Sequence, residues 1–146
     1  MEEKQIRFPN GAIYNGEVNE AGKAHGKGRM TYATGTVYDG NWINGIADGY
    51  GIEEYSNGDR YEGEWKADLR HGKGVYKSTD GSEYKGEWRF DKPNGNGKYT
   101  YPDGSTYDGE WRDGSRNGSG IFTYANGETV NGVWSDDELV QELYNK

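Results

Sequence analysis

Apolar and polar residues alternate along most of this chain, and glycines interrupt the alternation at fixed intervals. Tyr61-Glu62-Gly63-Glu64-Trp65 shows the unit plainly. A period of two puts Tyr61, Gly63 and Trp65 on one face of a β-strand and both glutamates on the other. The unit recurs as Tyr14-x-Gly16, Tyr38-x-Gly40, Tyr61-x-Gly63, Tyr84-x-Gly86 and Tyr107-x-Gly109. Trp follows at Trp42, Trp65, Trp88 and Trp111, and a degenerate sixth copy ends in Trp134. A Gly-x-Gly element runs in phase: Gly26/Gly28, Gly49/Gly51, Gly72/Gly74, Gly95/Gly97 and Gly118/Gly120. Turn pairs such as Asn57-Gly58, Asp80-Gly81 and Asp103-Gly104 complete each period, and such pairs join hairpin strands. Pro102 before Asp103-Gly104 selects a type I turn followed by a left-handed glycine, because proline cannot adopt the positive φ of a type I′ turn.

The repeat length is therefore 23 residues, two short strands and two turns each. A three-residue loop at Ser56-Asn57-Gly58 sets Glu53 opposite Tyr61, Gly51 opposite Gly63 and Gly49 opposite Trp65. The same alignment on the other hairpin sets Tyr38 opposite Glu53, Gly40 opposite Gly51 and Trp42 opposite Gly49. One cross-strand row is then all glycine, flanked by a Tyr-rich row and by a row alternating Trp with Gly. A glycine row lets a sheet bend and lets rings lie over bare backbone. The expected architecture is all-β: tandem hairpins in an elongated, curved, single-layer antiparallel sheet, with an aromatic trough along one face. Strands about 4.8 Å apart give each repeat a rise of about 9.6 Å. On the outward face the register sets Glu64 beside Lys73, Lys73 beside Glu87, and Arg60 beside Lys77.

The ends differ. A lone strand is expected over Lys4 to Phe8, with a charged start that discourages edge pairing. After Trp134, Ser135-Asp136-Asp137-Glu138 has the spacing of a capping box. Leu139, Val140, Leu143 and Tyr144 follow at helical spacing. A capping helix over about 136–145 is therefore expected, packed near Val133. The whole chain, 1–146, reads as one repeat domain, with the repeats over about 4–134.

Composition changes the picture in two ways. Only 31% of residues are hydrophobic and the net charge is −8, values that would ordinarily point to disorder. Regular glycines and 14% aromatic content reverse that reading, since stacked identical units can share aromatic surfaces. There is no cysteine, hence no disulfide framework or thiolate metal site. The start is not a signal peptide and no apolar run approaches a membrane span, so the expected location is cytoplasmic. The acidic balance disfavours nucleic acid. Asn117-Gly118-Ser119 matches a glycosylation acceptor but is read as a turn.

The Tyr-x-Gly-x-Trp, Gly-x-Gly and Asp-Gly elements at this period closely resemble the MORN (membrane occupation and recognition nexus) repeat, over about Lys4 to Trp134. The resemblance implies a hairpin-repeat sheet used as scaffold or tether. Such repeats occur in junctional membrane, cytoskeletal and ciliary proteins and beside catalytic domains, and phosphoinositide binding has been attributed to some. Val18, Ser78 and Val130 depart from the pattern, where Trp, Tyr and Tyr would stand.

Two candidate surfaces follow. The aromatic trough offers Trp42, Trp65, Tyr84, Trp88, Tyr107 and Trp111 to a partner helix or peptide, although the same rings also serve as the core. The long-turn edge offers Lys66, Arg70, Arg89, Lys92, Arg112 and Arg116 to anionic lipid or an acidic partner, opposite an edge carrying Asp59, Asp80 and Asp103. Ile43, Ile46, Leu69 and Phe90 add apolar surface to that basic edge. His25 and His71 lie two repeats apart, too far to share a metal, and are read as turn residues. The Gly-x-Gly pairs lack the following helix and Lys-Ser/Thr of a phosphate loop. No Ser/His/Asp or Cys/His set exists. The expected function is a non-enzymatic scaffold for a partner segment, needing no cofactor or metal, with a lipid tether as the alternative.

Overall fold

The computed structural model describes residues 2–143. They form thirteen antiparallel strands in a single open sheet whose strand order follows the sequence. In chain order these are β1 (Glu2–Arg7), β2 (Ile13–Val18), β3 (Ala24–Thr31), β4 (Val37–Ile43), β5 (Ile46–Glu54), β6 (Arg60–Lys66) and β7 (Leu69–Lys77). Then follow β8 (Glu83–Arg89), β9 (Lys92–Thr100), β10 (Thr106–Arg112), β11 (Ser115–Thr123), β12 (Thr129–Ser135) and β13 (Glu138–Leu143).

The glycine row forms as the spacing predicts: Gly40 faces Gly51, Gly51 faces Gly63, and Gly63 faces Gly74. Each repeat's tyrosine explains why nothing larger fits. The Tyr61 ring lies across the glycine of the next strand, Gly74. Its hydroxyl donates to the Glu64 carbonyl at 2.9 Å. The same bond recurs from Tyr38 to Asn41, from Tyr84 to Glu87 and from Tyr107 to Glu110. Tryptophan reaches the other way: Trp65 Nε1 donates to the Gly51 carbonyl at 3.1 Å, and Trp88 and Trp111 do likewise to Gly74 and Gly97. From Tyr38 to Tyr107 each of these tyrosines meets its own repeat's Trp and the next one edge-on, with Tyr61 5.1 Å from Trp65 and 5.3 Å from Trp88. Edge-to-face pairs of this kind add about 0.5–1.5 kcal/mol each beyond area burial. The ladder runs unbroken from Tyr14 to Trp134.

The short turns are type I with a left-handed glycine, as Pro102 indicates. Gly58 has φ +95° and donates to the Tyr55 carbonyl, while Asn57 Oδ1 accepts the Asp59 N–H at 2.9 Å. The long-turn hairpins depart from the expected register. Trp42 faces Ala47 instead of Gly49, because Asn44-Gly45 closes a two-residue loop with both residues at positive φ. That loop leaves β5 longer than β4, and the surplus bulges at Gly49, whose φ is +102°. The two glycines of Gly-x-Gly therefore have different reasons: the first bulges, the second lies under a ring.

The outward glutamates serve these bulges. Glu64 accepts the Lys73 N–H at 2.5 Å, so the expected Glu64–Lys73 charge pair is a side-chain cap on backbone. Glu17, Glu87 and Glu110 cap the N–H groups of Lys27, Asn96 and Ser119 in the same way. Lys73 does face Glu87, and Arg60 does face Lys77.

The expected C-terminal helix is not formed among the described residues. Glu138–Leu143 is a strand paired with β12, and Trp134 faces Leu139. The capping-box spacing is real, but Asp136 and Asp137 take the positive φ of a long turn instead (46° and 69°). The repeat frame prevails over the local helix signal because it gives Asp137 partners. Its Oδ1 accepts the Arg116 N–H at 2.8 Å. The Leu139 side chain covers Gly132, as a tyrosine ring covers glycine elsewhere. Tyr144 and Asn145 lie outside the described residues. At the other end β1 pairs with β2 over Glu2–Arg7, slightly earlier than the expected span.

Three measurements test this core. A Cβ at Gly63 would lie 2.6 Å from the Lys73 carbonyl oxygen and nearer still to the Gly74 Cα. Gly63→Val is therefore expected to cost about 3 kcal/mol in chemical denaturation, and an unchanged midpoint would refute the close approach. Glu110→Ala removes the acceptor for an exposed bulge N–H that water can partly satisfy, so a loss of about 1 kcal/mol is expected, with Gln retaining part of it. Burial pushes the phenols of Tyr14, Tyr76 and Tyr107 up to about 12 from the ordinary value near 10. The folded state thus holds protons that the unfolded chain releases near pH 10, and stability falls as pH rises from there through about 12. Denaturation midpoints followed by Trp fluorescence should be level below pH 10 and drop above it; a flat profile to pH 12 would contradict the buried ladder.

Candidate partner-binding face

The aromatic face has two tiers. The lower tier is the ladder itself. Trp42, Trp65, Trp88 and Trp111 are 2–7% exposed, and Tyr84 and Tyr107 are 2% and 0%. Their polar atoms are already spent on backbone carbonyls. All six trough residues singled out in the sequence thus lie together on one face, but little of any ring meets solvent.

The upper tier comes from the odd-numbered strands and from Tyr55 and Tyr101, which directly follow β5 and β9. Tyr55, Tyr76, Tyr99, Tyr101 and Phe122 pack on the ladder and remain half-buried, with one side open. Tyr55 and Tyr76 lie 5.7 Å apart, Tyr99 and Tyr101 4.6 Å, and Tyr101 and Phe122 5.8 Å. Tyr76 is fixed by its hydroxyl, which donates to Asp59 at 2.8 Å. Glu53 occupies the tyrosine position of β5. Burial raises its carboxyl above the usual range, opposed by a hydrogen bond from Tyr55 and by the Arg70 charge. Tyr32, Tyr55, Tyr101 and Tyr124 recur in steps of 23 or 46, a signal that the sequence carries but that the Tyr-Gly-Trp unit overshadows.

Arg70 and Arg116 sit on this face and not on the basic edge. The Arg70 guanidinium lies 4.9 Å over Trp88 and 5.4 Å from Tyr76, and is paired with Asp91 at 3.0 Å. Arg116 lies 4.8 Å over Trp134, paired with Asp137 at 3.2 Å. Both occupy the position facing Trp across the long-turn hairpin, which elsewhere holds Ala47, Pro93 and Leu139; in the first hairpin Ala24 faces Val18. The carboxylates also hold backbone: Asp68, Asp91 and Asp137 accept the N–H of Ala47, Arg70 and Arg116. Pro93 has no N–H to donate, and the turn that docks on its carbonyl has Gly114 in place of Asp. The glycine is not confined to the proline site, since Gly45 docks in the same way on the carbonyl of Ala24.

The remaining edge candidates, Lys66, Arg89, Lys92 and Arg112, lie at strand ends beside the long turns, with Arg89 over the Phe90 ring at 5.3 Å. Ile43, Ile46 and Phe90 are exposed there. His25 and His71 lie in strands β3 and β7 and not in turns as expected; His25 Nδ1 accepts the Asn44 N–H of the adjoining turn at 3.2 Å, and Asp48, Asn94 and Asn117 cap the next turns similarly. On the opposite edge, hydrogen bonds from Ser82 and Ser105 hold the carboxyls of Asp80 and Asp103 below their usual range.

In fold the chain is similar to the SAS-4 (dCPAP) TCP domain of Drosophila melanogaster, solved in complex with a Proline Rich Motif of Ana2 (dSTIL). The two are 17% identical over 90% of this chain and 78% of that one, with a TM-score of 0.50. It is likewise similar to the TCP10 domain of Danio rerio CPAP, 14% identical over 98% of this chain and 68% of that one, with a TM-score of 0.52. No curated protein matches it as a sequence relative. Five consecutive copies of the MORN repeat match residues 14–37, 38–60, 61–83, 84–106 and 107–129. The ring ladder, the covered glycine row and the bulge are what this repeat builds here, and the chain belongs to the MORN-repeat family.

Proposed function

We propose that the chain is a non-enzymatic interaction scaffold that holds an extended segment of a partner protein across its aromatic face. The observation that carries the reading is the upper tier: half-buried rings at Tyr55, Tyr76, Tyr99, Tyr101 and Phe122, already ordered by the ladder below. Rings fixed before binding lose little entropy on contact, and large amphipathic rings supply most of the energy at interface hot spots. In this reading Trp42, Trp65, Tyr84, Trp88, Tyr107 and Trp111 form the rigid bed and contact a partner at its margins. A proline-containing segment suits a bare aromatic stripe, since an extended segment that is already stiff brings a low ordering cost. The Drosophila neighbour, whose fold this chain shares, binds such a motif.

The immobilised chain should capture a partner protein from native lysate, and the capture should survive moderate salt. Tyr99→Ala with Tyr101→Ala, shown by thermal melts to be folded, should weaken the purified complex by about 2 kcal/mol or more. Capture that survives the Tyr pair but collapses in salt and in Arg89→Glu/Arg112→Glu would transfer function to the basic edge and the anionic-lipid reading.

A further inference from the structure

The face opposite the rings carries a groove of about 760 Å³ across β5 to β10. Its floor is the bare backbone of Gly63, Gly74, Gly86 and Gly97, seen from behind. One wall is the row of Glu62, Val75, Lys85, Lys98 and Asp108; the other includes Lys73, Glu87 and Asn96. Five inter-strand steps of about 4.8 Å make it about 24 Å long, the reach of about seven extended residues.

The charges on these walls are arranged against the sheet's own interest. Lys85 faces Lys98 directly, and Arg60 faces Lys77. Like charges directly opposite each other destabilise a strand pair. Acids relieve them only in part: Asp108 faces Lys98 and Glu83 faces Lys77, whereas Lys85 faces Val75 and Lys98. Glu87 is spent on the Asn96 N–H and Glu64 on the Lys73 N–H. Glu62 is held by Arg60 at 3.1 Å and by the Tyr50 hydroxyl. Among the described residues, Lys73, Lys77, Lys85 and Lys98 make no ion pair. A chain of net charge −8 thus sets five cations, Arg60, Lys73, Lys77, Lys85 and Lys98, against three acids in one groove.

We infer that this groove is a second binding site, for an extended acidic peptide segment running along the glycine row. Its carboxylates alternate between the Lys85/Lys98 wall and Lys73 on the other, and its backbone lies on the glycine floor. The spread of lysines over the groove's length suits a chain of single charges better than one phosphate group. This site shares no side chain with the aromatic face, so the scaffold joins two segments back to back.

The test uses the full chain and a fluorescein-labelled hepta-glutamate peptide, read by anisotropy at low ionic strength. The expected result is saturable binding, weakened at least tenfold in Lys85→Gln/Lys98→Gln and steeply reduced by salt, with no binding of hepta-glutamine. The same variant should melt no lower than the parent, because it removes a like-charge pair, so lost binding is not lost fold. Tyr99→Ala/Tyr101→Ala should bind hepta-glutamate as the parent does, which separates this site from the aromatic face. Absence of binding, or equal binding by the Lys variant, overturns the proposal. Displacement of the peptide by inorganic phosphate at matching concentration also overturns it, in favour of a phosphate site.

Discussion

Everything in this sheet depends on a tyrosine ring lying on a glycine of the neighbouring strand. A single-layer sheet has no second layer against which to bury its apolar face. Here the layer is supplied by rings folded flat onto backbone, which is possible only where no Cβ intervenes. The contact fixes three things at once. It buries the phenol, directs its hydroxyl to the carbonyl three residues on, and leaves a wall against which the next tryptophan stands edge-on. Replace the glycine with anything larger and all three are lost together.

The second element of order is the bulge, because it reconciles two incompatible lengths. A two-residue left-handed turn gives the tightest long-turn hairpin, yet the glycine row demands a longer path on the following strand. The surplus is accommodated at the first glycine of Gly-x-Gly, and an outward glutamate ties down the exposed N–H. Acidic residues that look like solvated surface charge thereby become structural.

The glycine row, the Tyr–Trp face and the short-turn geometry were legible from spacing alone, since each is dictated by a period of two and by Pro102. The long-turn register was not. Trp42 pairs plausibly with Gly49 or with Ala47, and only the closure of Asn44-Gly45 decides between them. The helix after Ser135 failed for a related reason: Asp136 and Asp137 satisfy both a helix start and a left-handed turn, and the partner of Asp137 is 21 residues upstream. For the binding face, the sequence marks which rings share a side. Which of them remain open depends on how far a tyrosine hydroxyl reaches across a glycine. Arg70 looked like an edge cation because its loop neighbours are basic, but the bulge turns it inward onto Trp88.

Strand order that follows the sequence without exception has a kinetic meaning. Every pairing closes a loop within one repeat or to the next strand, so no long segment must be immobilised before contacts reward it. Folding can begin at any hairpin and extend outward in both directions, each new strand finding a ready template of glycine and indole. The penalty falls at the ends, where a strand has one neighbour instead of two. β1 and β13 should exchange their amide hydrogens long before the middle of the sheet does, grading protection from the centre to either margin.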